Sequence, residues 1–246
     1  MELFNIFRHY TEQNYLENWS RKGFYENNGQ LIHCKLLNVC KDIKFLEDID
    51  NFSNVHLFTK YIQDKLVEYG ITENALTSQF KGYIFELFTE CFLNYFSNIA
   101  ILNANKNEIN LYTIKYVCLP PESYKDYGID QLCRITANDG ISKNAVIQVK
   151  FRTSDEFNLS TTIIDKLGFQ GSRAGFINPI TPENNKDKTL ILFTNLYYNE
   201  YKRAFENNIG FENLLIIDGT SIDYNIKNND FWQFFKNLLQ NIIQYA

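Results

Sequence analysis

The sequence predicts an α/β protein, with a central mixed β-sheet flanked by helices and a mainly helical N-terminal extension. Two short apolar runs, "KTLILFTN" at 188–195 and "LLIIDG" at 214–219, have the length and continuity of buried central strands. Helical patterns alternate with them. Asp139-Gly140 stands between two further strand-like stretches and marks a hairpin, because a tight turn needs a positive φ that Gly adopts without steric cost. Strands interleaved with helices make a mixed sheet with helices on both faces.

Residues 1–75 form the extension and 76–246 the main domain, with no linker rich in Pro, Gly or Ser between them. In the extension, Leu57, Tyr61, Ile62, Leu66 and Tyr69 recur at three-to-four spacing, an amphipathic helix for which Gly70 is the C-cap. Asn28-Gly29 offers a small hairpin. From Ser78 to Ser97 the chain is apolar on more than one helical face, so a buried helix is expected. Glu86 lies within it, four positions after Gly82 and on the same face, where the small residue permits close approach of another element. A strand follows at 111–118, and the hairpin strands take 129–136 and 145–151. Beyond them come a helix at 159–173, the strand at 188–195, an amphipathic helix at 196–210, the strand at 214–219 and a terminal helix from Asp230.

With 246 residues, 45% of them hydrophobic and 16% aromatic, the chain can bury a substantial core. Its net charge of -5 argues against drawing nucleic acid by bulk charge, although the local field on one face is what decides. Residues 141–178 carry five basic and three acidic side chains, against eight and eleven in residues 1–80. Five scattered cysteines without CxxC spacing read as free thiols of a reducing compartment. No signal-peptide pattern opens the chain, and no run approaches the roughly 18 apolar residues of a membrane span, so a soluble, cytoplasmic protein is expected. His9, His33 and His56 are the three histidines, and none follows residue 56. That inventory removes a Ser-His-Asp triad, an HNH-type nuclease and a His-rich metal site from the main domain. His33, Cys34, Cys40 and His56 match no usual zinc spacing.

If Asp139-Gly140 centres the turn, Asp130 falls opposite Val149, and the side chains of Gln148 and Lys150 flank that position on one face. An acid, an amide carbonyl and an amine then converge. Mg²⁺ takes hard oxygen ligands and keeps several waters. Asp130, Gln148, the Val149 backbone carbonyl and Glu86 can supply those oxygens. Lys150 can orient an attacking water and offset charge on a phosphorane. Glu86 is the most telling singly, because a carboxylate in an apolar helix is costly to bury without a partner. The plainer readings are a turn acid after Gly128, a solvated lysine and an exposed amide.

These residues resemble the PD-(D/E)XK nuclease superfamily, and within it the Mrr-like branch of restriction endonucleases. That branch reads a helical Glu, then G-[IVF]-D, then Q-x-K, matched here by Glu86, "GID" at 128–130 and "QVK" at 148–150. The resemblance covers residues 78–222, with the helix at 159–173, "LILFTN", a helix containing Ala204 and "LLIIDG". It implies a restriction-endonuclease-like core and a metal-dependent endodeoxyribonuclease that hydrolyses DNA phosphodiester bonds in restriction or DNA processing. Asp130, Gln148 and Lys150 are its implied catalytic residues, with Glu86 assisting, and Mg²⁺ is the implied cofactor, for which Mn²⁺ can substitute. Gln148 stands where the superfamily more commonly has an acid, which leaves fewer formal negative charges for the metal. Double-stranded DNA is the implied partner. Cutting both strands takes two active sites, which a homodimer would supply.

Arg152, Gln170, Ser172 and Arg173 are candidate contacts to phosphates or base edges. "LGFQGSRAGF" is neither a P-loop nor a dinucleotide fingerprint, and reads as a helix end. Lys202-Arg203 reads as a solvated helix face, and Phe231, Trp232, Phe234 and Phe235 as core. Two alternatives stand beside the nuclease. One is a catalytically weak or inactive DNA-binding module of a larger restriction or helicase complex. The other is a nuclease acting on branched DNA or RNA.

Overall fold

The structure, a computed structural model, describes residues 48–49, 52–68, 74–103, 108–118, 129–152, 188–201, 214–227 and 230–245. The hairpin at Asn28-Gly29, the Gly70 cap, the helix at 159–173 and the part of the 196–210 helix after residue 201 lie outside these. Among the described residues ten elements follow in order: α1 (Val55–Glu68), α2 (Asn74–Tyr95), β1 (Ile99–Asn103), β2 (Glu108–Cys118), β3 (Gln131–Ala137), β4 (Ser142–Lys150), β5 (Lys188–Thr194), β6 (Leu214–Ile217), α3 (Gly219–Ile226) and α4 (Phe231–Tyr245). The strands make one six-stranded sheet in sequence order. β1 to β4 form an antiparallel meander, and β4, β5 and β6 run parallel. The protein is therefore α/β with a mixed sheet, as the sequence predicts. β1 and α3 have no counterpart in that prediction.

Side chains outside the helices' own bonding settle how the helices start. Asn54 Oδ1 accepts the Leu57 N–H at 2.8 Å, and Asp223 Oδ1 of α3 accepts the Val55 N–H at 2.7 Å. The first amides of α1, which no helical carbonyl can reach, thus have partners. Val55, Phe58, Ile62 and Leu66 of α1 then join the main hydrophobic cluster. Phe88 of α2 sits among the rings of Phe58, Phe85, Phe92, Phe231, Trp232 and Phe235, at centroid distances of 5.2–6.2 Å. The aromatic run of α4 is core, as expected. Edge-to-face pairs of this kind add to the burial of their area.

Alternation along the strands divides the sheet into two faces. One face carries Ile147, Val149 and Phe151 with Ile191 and Phe193, and Phe85 of α2 meets Phe151 at 5.5 Å and Phe193 at 5.7 Å. On the other face Leu132, Val146, Leu190 and Leu192 are also fully buried. A sheet apolar on both sides must be covered on both.

β1 is an edge strand, and α3 covers it. Asn225 Oδ1 accepts the Ala100 N–H at 2.9 Å while its Nδ2 donates to the Ala100 carbonyl at 2.7 Å, and Ser221 Oγ accepts the Leu102 N–H at 3.1 Å. Open backbone groups that would otherwise invite a further strand are thereby filled. β1 and β6 also approach one another, which curls the sheet towards closure.

The hairpin corrects the expected register. The Gly140 N–H donates to the Ala137 carbonyl at 3.0 Å, and Gly140 has φ +77°. The loop thus has three residues, Asn138, Asp139 and Gly140, with Gly in the left-handed position that closes such loops. A three-residue loop shifts the pairing by one: Thr136 meets Ser142, and Gln131 meets Ile147. Asp130 consequently does not fall opposite Val149.

Candidate metal and nucleic-acid site

β4, β5 and β6 are parallel, and in such sheets ligands gather outside the carboxyl ends of the strands. Asp130 reaches the same end, because β3 runs antiparallel to β4 and begins beside its last residues. Its N–H donates to the Ile147 carbonyl at 2.9 Å, and its Oδ2 accepts the Val149 N–H at 2.6 Å. Asp130 therefore holds the backbone on both sides of Gln148. The carboxylate replaces a ladder acceptor just where β3 has not yet begun. Gln148 is 3% exposed and Lys150 half-buried. Their register partners on β5 are Leu192 and Thr194, so both lie on the face opposite Val149 and Phe151.

Glu86 arrives differently. Gln131 is fully buried; its Nε2 donates to the Glu86 carbonyl at 2.8 Å, and its Oε1 accepts no hydrogen bond among the described residues. This bond ties α2 to the start of β3, one residue from Asp130. α2 lies over the Val149–Phe151 face, however, so Glu86 is carried over the side opposite Gln148 and Lys150. Glu86 is also only half-buried, whereas Glu90 one turn later is 0% exposed. The expected buried carboxylate of this helix is thus Glu90. Nor does Gly82 serve close approach: no described atom lies within 4 Å of where its Cβ would stand.

Three further residues shape this end of the sheet. Lys81, 5% exposed, holds its Nζ 5.6 Å from the centre of the Phe151 ring, a cation–π arrangement that brings a second lysine near the end of β4. Asn195 accepts the Arg152 N–H and donates to the Arg152 carbonyl. Arg152 Nη1 turns back to the Phe151 carbonyl at 3.0 Å. Gly219 lies against Asn195: an added Cβ would stand 2.8 Å from the Asn195 carbonyl oxygen. The sequence signal for Asn195 was a polar Thr-Asn pair closing an apolar strand, and Lys81 and Gln131 gave none.

Two aspartates of the α3 region are held by tyrosines. Asp218, 1% exposed, caps α3 through the Ser221 N–H at 2.9 Å and accepts the Tyr201 hydroxyl at 2.8 Å. Asp223 accepts the Tyr197 hydroxyl at 2.6 Å as well as the Val55 N–H. Burial pushes both carboxyls above the usual range, opposed by the hydrogen bonds they accept. Burial also raises the Tyr197 and Tyr201 phenols, with the bonded aspartates adding to it. The raised phenols keep their protons at neutral pH and donate them to the aspartates, so the cluster is a structural clasp. Cys91 and Cys133 are free and buried, and desolvation raises both thiols, for Cys91 with the Glu90 carboxylate contributing. Neither is a thiolate nucleophile.

Among the described residues no three of His, Cys, Asp and Glu gather as a metal cluster. Gln170, Ser172 and Arg173 lie outside the described residues, as do Lys202-Arg203 and Ala204. No described helix is long and apolar enough to cross a membrane. Comparison of the chain with family models, curated proteins and solved structures gave no match.

Proposed function

We propose that this chain is a metal-dependent endodeoxyribonuclease with a restriction-endonuclease-like core, hydrolysing phosphodiester bonds of double-stranded DNA. The observation that carries the reading is Asp130 bracketing Gln148, its N–H on Ile147 and its carboxylate on Val149. An acid, an amide and a lysine thereby share one end of two adjacent strands, in the order of the GID and QVK motifs. The topology supports it: a buried helix, an antiparallel meander and then parallel strands.

The donors suit a hard cation such as Mg²⁺, or Mn²⁺ in its place, because all are oxygens. In an extended strand the N–H and C=O of one residue leave on the same side, so the Val149 carbonyl leaves β4 towards Asp130. Asp130, Gln148 and that carbonyl would hold the ion, which supplies Lewis acidity towards the phosphoryl group and its attacking water. Lys150, last in β4, donates to a phosphate oxygen and offsets the charge that grows there. Gln148 is neutral, so Asp130 carries the formal negative charge of the set. Glu86, over the other face, has the positioning part of anchoring Gln131 through its backbone carbonyl, and Arg152 adds a cation just past Lys150.

Purified protein and its Lys150→Ala and Asp130→Ala variants, incubated with plasmid and Mg²⁺, test this. Wild type should nick or linearise the plasmid, and each variant should lose at least roughly a hundredfold in rate, as loss of several kcal/mol of transition-state stabilisation requires. Equal cleavage by all three sinks the catalytic assignment. One observation favours the alternative of a DNA-binding module without catalysis: the Asp130 carboxylate already serves the backbone at Val149. Retained duplex binding with no cleavage by wild type would select that reading.

A further inference from the structure

We infer that Lys115 and Arg134 form a docking row for the phosphate backbone of duplex DNA, apart from the Asp130–Lys150 end of the sheet. The register sets Lys115 of β2 directly opposite Arg134 of β3, and both side chains are exposed. Residues so paired share a face with their Cβ atoms about 5 Å apart, and like charges there repel. Neither makes an ion pair or a side-chain hydrogen bond among the described residues. Two cations held side by side on one face repel, and an anion lying across them relieves that repulsion.

The surroundings favour phosphate as that anion. β2, β3 and β4 hold a single acid, Glu108, which alternation puts on the other face, seven residues from Lys115. The next pair on the same face is Thr113 opposite Thr136, and the row continues from Arg134 to Asn144. Hydroxyl and amide groups beside a guanidinium fork and an ammonium are the set that grips phosphate oxygens, Arg in two-pronged fashion and Lys as a point charge. Asn144 shares its face with Gln148 and Lys150. Lys150 lies six positions further along β4, about 20 Å at roughly 3.3 Å per residue. The net charge of -5 makes such a local cationic face the means by which this chain can meet a polyanion. The inference takes its ligand from the nuclease reading but does not depend on the chemistry.

Binding of a short fluorescent duplex, measured by anisotropy without divalent metal across a series of salt concentrations, tests it. The double variant Lys115→Ala/Arg134→Ala should bind at least tenfold more weakly at low salt, and its slope of log K against log salt should shrink by about one for each cation removed. Lys60→Ala, which removes an exposed lysine of α1, should bind as wild type does. Unchanged duplex binding by the double variant overturns the inference. An equal loss in Lys60→Ala overturns it in favour of bulk charge. Lost binding to anionic vesicles or an acidic peptide, with duplex binding intact, gives the row to another partner. A wild type that binds duplex through the row but never cleaves sinks the nuclease reading and leaves the row standing.

Discussion

Asn195 grips Arg152 with both ends of its amide, accepting the backbone N–H at 2.8 Å and donating to the carbonyl at 2.7 Å. The last ladder pair between β4 and β5 is Lys150 with Thr194. One side chain thus carries the pairing past the end of both strands and fixes the chain that leaves Lys150.

Asn195→Ala should remove both bonds and lower stability by about 1–3 kcal/mol, at the usual net worth of about 0.5–1.5 kcal/mol for each. Asn195→Asp keeps the acceptor but sets a carboxylate oxygen against the Arg152 carbonyl, and should destabilise at least as much at neutral pH. Urea midpoints at constant m would show it. In the nuclease reading both variants also lower kcat well below their melting range.

Replacing Asp130 separates structure from chemistry. Asp130→Asn retains an acceptor for the Val149 N–H and should melt within about 1 kcal/mol of wild type, whereas Asp130→Ala leaves that amide without its partner. Cleavage should fall in both. If Asp130→Asn cuts as wild type does, the carboxylate is only a cap for the strand.

Gly219 has no positive φ to require glycine; packing requires it. A Cβ would stand 2.8 Å from the Asn195 carbonyl oxygen and 3.2 Å from the Tyr197 ring. Gly219→Ala should therefore cost about 1–3 kcal/mol, as overpacking of a closed site does, read as a lowered denaturation midpoint.

The raised carboxyl of Asp218 makes a pH prediction. Its folded value lies above the unfolded one, so the folded state holds its proton more tightly. The contribution is fully present below the unfolded value of about 3.9 and is lost as pH rises through the folded one. Asp218→Asn keeps an oxygen to cap α3 while removing the titration. Its melting temperature relative to wild type should climb as pH is raised from about 4 to 7. A constant difference over that range would mean Asp218 titrates normally.

Long, strongly patterned elements were legible: the aromatic α2 and α4, and the apolar β5 and β6. Asp139-Gly140 located the hairpin but not its length, because two- and three-residue loops both call for a glycine at positive φ. That single residue moved Asp130 from Val149 to the two backbone groups around Gln148. α3 carried a readable signal, Asp218 as N-cap three residues before the Ser221 amide it accepts, hidden beneath the apolar "LLII". Glu86 and Glu90 both fall in the apolar run of α2, and only the packing of that helix decides which is buried. Lys115 and Arg134 lie nineteen residues apart in sequence and become neighbours only through strand pairing, which no local pattern encodes.

Asn225 and Ser221 have a consequence for how copies of this chain can assemble. A helix that leaves one edge strand and bonds the backbone of the other occupies the β1 edge of the sheet. Two copies cannot join by extending the sheet across β1 without first prising that helix away. A pair with two cutting centres would have to meet somewhere other than along the β1 edge.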